Sequence, residues 1–349
     1  MAVVAPLVCP GQAGIAASAA PQPGIRGHLP SRDFWAAYKT KFVMPEGRVV
    51  DDGNGGISHS EGQGYGMLLA VAADDRAAFD RIWGWTRTEL MVRGDGLASW
   101  RWEPGKTPRI TDRNNASDGD ILIAWALDEA ADAWGETAHK VAARALARAI
   151  GKSLIVSTPI GPMLTPALEG FDAKSRDDGP VVNLSYFVFP AFARMKALAA
   201  EHDWDGLTRG GLDLAQKARF GAKGLPTDWI ALGGGKVAPA GGFAPTFSYN
   251  AVRVPLYLAW ARAGQRGHLA PFAAAWEHAA PTVVDVTSGR SHEPLDAPGY
   301  RAIAALVRCS LDGDRLPDDL RGPGLDLYYP STLKALAIVA VRQRYPECW

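Results

Sequence analysis

The chain has 349 residues, 47 % hydrophobic and 21 % charged, with 37 basic and 37 acidic side chains and no net formal charge. That composition supplies a packed core and excludes a disordered protein. A neutral chain without a basic run has no electrostatic footprint for a polyanion, which excludes nucleic acid as a partner.

Met1 to Ala20 is uncharged and rich in Ala and Val, and Ala17-Ser18-Ala19 before Ala20-Pro21 reads as a signal-peptidase site, although the basic n-region is missing. Residues 1–19 are therefore expected to be a signal-peptide remnant, residues 20–349 one domain, and the protein periplasmic or secreted. Cys9 leaves with the signal. Cys309 and Cys348 remain, either as one bridge in an oxidising compartment or as two buried thiols. No later stretch is long and apolar enough to span a membrane.

Helical patterns then dominate. Phe34, Trp35, Tyr38 and Phe42 recur at helical spacing behind Asp33, a candidate cap. Further helices are predicted over about 61–73, 76–92, 118–134, 137–151, 186–200, 205–219, 249–263, 267–279, 299–309 and 328–343. Strand-like segments are few: Arg48 to Asp51, Leu154 to Thr158 and Val283 to Thr287. Many amphipathic helices in series form either a solenoid or a closed toroid of helix pairs, and the lack of a fixed repeat favours the toroid. In a toroid the N-termini of alternate helices converge. That gathers the clusters Ser60 to Tyr65, Asn114 to Asp120, Asn183 to Tyr186 and Phe247 to Arg253 around one cleft.

Two of these clusters carry acids at helix starts. Ser60-Glu61-Gly62-Gln63-Gly64-Tyr65-Gly66-Met67 reads as a capping box of Ser60 and Gln63, with Glu61 in the first turn and glycines that turn tightly or admit a bulky ligand. Asn114-Asn115-Ala116-Ser117-Asp118-Gly119-Asp120 repeats the arrangement, with Ser117 as the cap. A lone acid there is explained by the helix dipole, which depresses its pKa. A general acid needs a raised pKa, and a neighbouring carboxylate supplies one by repulsion. Asp118 beside Glu61 is the physical reason for having both.

Those motifs, with Ile123-Ala124, Ala126-Leu127, Trp134, Asn183-Leu184-Ser185-Tyr186-Phe187 and Phe247-Ser248-Tyr249-Asn250-Ala251-Val252-Arg253, resemble glycoside hydrolase family 8 over about residues 30–343. The resemblance is closest to the endo-β-1,4-glucanases that accompany bacterial cellulose synthases; Asp128 departs from the small or apolar residue usual there. It implies an all-α (α/α)6 barrel with a sugar-binding cleft at one end, a β-1,4-glucan substrate, the cellulose synthase complex as a partner, and no cofactor. It assigns Glu61 as general acid, Asp118 as the carboxylate holding the distorted central sugar, Trp100 as a stacking platform, and Tyr186, Tyr249 and Arg253 as site-lining residues. It also implies inversion, in which a second carboxylate activates water about 6.5–9.5 Å from the acid.

The catalytic base of the cellulose-synthesis members follows the tyrosine of the Ser-Tyr motif as aspartate, and this chain has Asn250. An amide cannot take a water's proton at neutral pH. Three readings stay open: an engineered isosteric change, a base supplied by Asp118, Asp177, Asp178 or Glu293, or a protein that binds glucan without cutting it well. Xylan- or chitosan-cleaving relatives are rival activities; a polysaccharide lyase lacks the basic residues for uronates.

Elsewhere the packing reading prevails. Trp100 and Trp102 flank Arg101 and would share a face of an extended stretch, whereas Trp83, Trp85, Trp125 and Trp134 read as packing. Tyr328-Tyr329 either closes the cleft or packs. His59 reads as a surface or capping residue, Asp74-Asp75-Arg76 and Arg176-Asp177-Asp178 as solvated loops, and the remaining histidines lack metal-ligand spacing.

Overall fold

A computed structural model describes residues 24–276 and 280–349. The expected signal-peptide remnant at residues 1–19, and the last three residues of the helix expected over 267–279, lie outside the described residues.

Twelve α-helices run through the described residues: α1 (Arg32–Phe42), α2 (Ser60–Ala72), α3 (Arg76–Glu89), α4 (Ser117–Trp134), α5 (Thr137–Leu154), α6 (Phe189–Leu198), α7 (Trp204–Lys217), α8 (Arg253–Ala261), α9 (Arg266–Ala275), α10 (Pro298–Asp312), α11 (Asp318–Arg321) and α12 (Tyr328–Arg344). Six of them close a ring. α2 packs on α4, α4 on α6, α6 on α8, α8 on α10, α10 on α12, and α12 back on α2. Each intervening helix, α3, α5, α7, α9 and α11, returns against the ring helix before it. α1 completes the outer layer through Phe42 against Tyr328 and the Tyr38–Thr332 hydroxyl pair. This is the expected (α/α)6 barrel.

The sequence assigns helices to layers. α4 buries every residue from Ser117 to Ala131, and α12 every residue from Pro330 to Val341. Helices buried on all sides are enclosed by their neighbours, whereas α3 and α5 bury one stripe each, as outer helices do. Four small antiparallel sheets decorate the loops. β1 (Ser58–His59) pairs with β2 (Arg101–Trp102), and β3 (Ile155–Thr158) with β4 (Gly161–Leu164). β5 (Val181–Val182), β6 (Ile230–Ala231) and β7 (Ala238–Pro239) form a third sheet; β8 (Thr246–Phe247), β9 (Thr282–Asp285) and β10 (Ser291–Pro294) form the fourth. β3 and β9 fall where strands were expected, but Arg48 to Asp51 makes isolated bridges only, Val43 to Val49 and Asp51 to Ile57.

Helix starts differ from expectation in instructive ways. Ser31, not Asp33, caps α1 by accepting from Phe34 N. His59, not Ser60, caps α2. The Gln63 side chain turns inward, accepting from Val49 N at 2.6 Å and donating to Thr86 Oγ1 at 2.8 Å. Ala116 occupies the cap position of α4, so Ser117 is helical and caps nothing. The helix expected from 186 starts at Phe189, behind a 3-10 turn over Leu184–Tyr186, and the one expected from 249 starts at Arg253. Gly62, Gly64 and Gly66 lie inside α2, so they serve helix packing rather than a tight turn. Cys309 on α10 and Cys348 in the C-terminal 3-10 turn form a disulfide.

Candidate functional site

Two glycines allow α2 and α4 to cross at close range. A Cβ on Gly64 would lie 2.6 Å from Leu122 Cβ, and one on Gly119 would lie 2.1 Å from Ser60 Oγ and 2.7 Å from Glu61 N. The first turns of the two helices thereby touch, and Glu61 and Asp118 meet at the same end of the barrel. Arg253, fully buried at the start of α8, joins them. Its Nη1 donates to Glu61 Oε1 and, at 2.9 Å, to Asp118 Oδ2. Its Nη2 donates to Ser185 Oγ at 3.0 Å and to Asn250 Oδ1 at 2.9 Å. The guanidinium lies 5.6 Å from the centre of the Tyr186 ring. Beneath it, the Tyr65 and Tyr257 hydroxyls bond at 2.5 Å.

The electrostatics follow from this packing. Burial, then the Glu61 charge, pushes Asp118 up to about 6, against the pull of Arg253. Repulsion within the pair was expected to hold one of the two acids protonated; on Asp118 burial is the larger cause, and a cation stands between the two acids. Burial also pushes Asp120 up to about 7, although it accepts from Ala98 N at 2.8 Å and Asn115 Nδ2 at 2.9 Å.

Above these groups opens a cleft of about 330 Å³, lined by Glu61, Asp118, Trp100, Tyr186, Tyr249, Asn250, Arg253 and Tyr329, with Asp51 and His59 on one side. All seven site residues expected from the sequence, Glu61, Trp100, Asp118, Tyr186, Tyr249, Asn250 and Arg253, thus line one cleft. Trp100 is held at the wall: its carbonyl accepts from Ser60 N at 3.0 Å, and its Nε1 donates to Asp112 Oδ2 at 2.7 Å. Trp102 does not share that face. It is buried against Trp85 with centroids 5.5 Å apart and donates to Glu89, because Trp100 stands just outside the short strand β2. Tyr329 borders the cleft and donates to Tyr249 O at 2.7 Å, whereas Tyr328 is buried.

The other acids considered as bases lie elsewhere. Asp177 and Asp178 line a separate pocket, where Arg176 Nε donates to Asp178 Oδ1 at 2.9 Å. Glu293 is exposed on β10 and accepts from the Tyr249 hydroxyl at 3.0 Å.

Three sets of residues were not foreseen. Phe171 and Trp229 line a continuation of the cleft beyond Trp100 and Tyr186, with their rings stacked at 5.3 Å. Asp228 accepts from Ser248 Oγ at 2.7 Å and Ala251 N at 2.8 Å, pinning the turn that bears Asn250. His59 caps α2 through Nδ1, as one reading of it allowed, but it is half-buried and its Nε2 lies 3.4 Å from Asp51 Oδ2. Burial opposes its charge, yet the Asp51 hydrogen bond and the Glu61 charge raise His59 above the ordinary histidine value. Phe171, Trp229 and Asp228 stand on loops outside the acid-bearing motifs, so no local motif marks them. Among the described residues no group of three or more His, Cys, Asp or Glu is arranged to hold a metal, and no helix is long and apolar enough to cross a membrane.

Comparison with known proteins places this architecture. A probable endoglucanase of Novacetimonas hansenii is 40 % identical over 316 residues, covering 88 % of this chain and 89 % of the relative. The structure of an endo-β-1,4-glucanase from Acetobacter xylinum superposes with a TM-score of 0.82 at 37 % identity, covering 90 % of this chain and 99 % of that one. A crystal structure of an endoglucanase from Komagataeibacter sucrofermentans gives a TM-score of 0.81 at 39 % identity, over 89 % and 97 % of the two chains. The family model described as Glycosyl hydrolases family 8 matches residues 17–343, nearly the whole length, and the chain belongs to that family.

Proposed function

We propose that this chain is an inverting endo-β-1,4-glucanase acting on cellulose and soluble cellulose derivatives such as carboxymethylcellulose. One observation carries the reading: a buried arginine holds two carboxylates from adjacent helix starts, Glu61 and Asp118, in a cleft walled by Trp100. Glu61, the more exposed of the pair, protonates the glycosidic oxygen. Asp118 holds the central sugar's hydroxyls, and Trp100 stacks on a ring. Tyr186, Tyr249 and Arg253 complete the lining. In this reading the enzyme supports bacterial cellulose synthesis beside the synthase complex, in the periplasm or outside the cell. The Cys309–Cys348 bridge suits such an oxidising compartment.

Position 250 is the base site, and its amide makes the chain a slow enzyme. Asn250 Oδ1 is engaged by Arg253, and an amide nitrogen donates to water without accepting its proton. Asn250→Asp is expected to raise reducing-end release from carboxymethylcellulose by about 10²–10⁴-fold, the usual worth of general-base catalysis. Glu61→Gln, assayed beside it, is expected to abolish release. An unchanged rate in Asn250→Asp, with the parent fully active, would move the base to another carboxylate, with Asp118 the first to scan because it lies in the cleft. A retained product anomer by NMR would sink the inverting mechanism. The second reading, a glucan-binding accessory of the synthase, draws on the same amide; it requires that the parent bind cello-oligosaccharide yet release no product.

A further inference from the structure

We propose that Asp228 is the positioning residue for the side chain at position 250, fixing the backbone from which that side chain meets the attacking water. The inference rests on position 250 being the base site. Residue 250 lies in the turn between β8 and α8, and the peptide groups on both sides of its Cα are held. The Tyr249 carbonyl accepts from the Tyr329 hydroxyl at 2.7 Å. The Asn250 carbonyl accepts from Arg253 N at 3.0 Å. At the other end of that same peptide, Ala251 N donates to Asp228 Oδ1 at 2.8 Å. Asp228 also reaches the residue two places before 250: Oδ1 accepts from Ser248 N at 3.1 Å, and Oδ2 from Ser248 Oγ at 2.7 Å. Backbone amides in a turn need acceptors, and one carboxylate supplies them on both sides of position 250.

Asp228 has a rigid seat. It is only 7 % exposed, and its own amide donates to Thr246 O at 2.9 Å. The next residue, Trp229, is stacked between Phe171 and Phe243, with ring centres 5.3 and 4.8 Å away, and β6 behind it pairs with both β5 and β7. Tyr329, Arg253 and Asp228 therefore anchor position 250, but they differ in one respect. Tyr329 and Arg253 line the cleft, so a change at either alters the cleft itself. Asp228 lines neither the cleft nor its continuation and acts on position 250 through the backbone. A reacting group displaced by about 1 Å loses about 10²-fold in rate. The seat therefore matters most when position 250 carries a group that takes a proton.

The test is a cycle of this chain, Asn250→Asp, Asp228→Ala and the double variant. Each is assayed for reducing-end release from carboxymethylcellulose, with circular dichroism as the check on folding. The quantity read is the factor by which Asn250→Asp raises kcat. In the Asp228→Ala background that factor is expected to be at least about tenfold smaller, with KM within about threefold of its value in Asn250→Asp. Asp228→Asn is expected to keep the factor within about threefold, because an amide oxygen accepts the same two N–H groups. An equal factor in both backgrounds, whatever loss they share, would mean that Asp228 only supports the fold and would overturn the proposal. A loss in Asp228→Asn as deep as in Asp228→Ala would assign the effect to charge and overturn it too. If Asp228→Ala does not fold, Asp228→Ser decides by the same comparison, its hydroxyl being one bond too short to bridge both amides. No gain from Asn250→Asp in the otherwise unchanged chain would remove the base-site reading, and this inference with it. A full gain that Asp228→Ala leaves intact would keep that reading and remove this one.

Discussion

Arg253 Nη1 reaches both Glu61 and Asp118, so a change at this guanidinium alters two carboxylates at once. Lysine keeps the charge but lacks the planar fork that reaches Ser185 and Asn250 as well. Arg253→Lys is therefore expected to lower kcat by about 10²-fold, a loss typical of a misplaced charge-stabilising donor, while circular dichroism shows the helices intact. Asp118 and Asp120 make a second prediction. Raised to about 6 and about 7, they hold protons in the folded state that the unfolded chain has released from about pH 4 upward. Their contribution to stability is therefore greatest in acid and is lost as pH rises through that window. Asp120→Asn carries no such loss. Its melting temperature relative to the parent should rise by about 2–4 °C between about pH 5 and about pH 8; a constant gap would mean that Asp120 does not titrate there. Residues such as Glu61, Asp118 and Asn250 were legible because each stands in an ordered motif. Asp51, Phe171 and Trp229 were not, because only folding brings their loops to the cleft.

At the scale of elements, the meeting of α2 and α4 is the feature on which the site depends. Gly119→Ala would set a methyl against Ser60 Oγ and Glu61 N, and the backbone cannot yield without moving the acid. Such overpacking costs about 1–3 kcal/mol. A displacement of about 1 Å also costs about 10²-fold in rate. Denaturant melts and kcat of Gly119→Ala check both; wild-type values would show that the helices can part without harm. Helix identities were readable from periodicity, and most ends fell within a few residues. The caps were misjudged because Ser60 and Ser117 sit one position inside their helices, where an extended His59 and Ala116 make the turn. Cap chemistry alone does not distinguish those registers. The glycines of α2 were misjudged for a related reason: Gly64 accommodates a neighbouring helix and Gly66 the Val49 side chain, which composition cannot show.

Across the whole molecule, the ring closes when α12 meets α2, and the last helix is fastened from behind by the disulfide from α10. α12 and the bridge follow every other ring helix in sequence, so the ring closes only when this segment has docked. The bridge spans a separation of 39 residues, for which loop entropy gives about 4 kcal/mol of stabilisation. Cys309→Ser with Cys348→Ser should melt well below the parent yet match its kcat at 25 °C, because Cys309 lies at the far end of α10 from the cleft. Equal melting curves with and without reductant would remove the bridge from the account. The closed toroid was legible from the count of helices and the lack of a repeat, whereas the order of packing around the ring was not. Trp349 is tied down by the same fastening: Arg321 and Arg342 both lie over its ring, and Leu316 N bonds to Cys348 O beside it. For anyone producing this protein, the choice of host then matters as much as any mutation. Material made in a reducing cytosol is expected to keep the parent's kcat but to lack this latch, and a shelf-life measured on it will belong to a different covalent species.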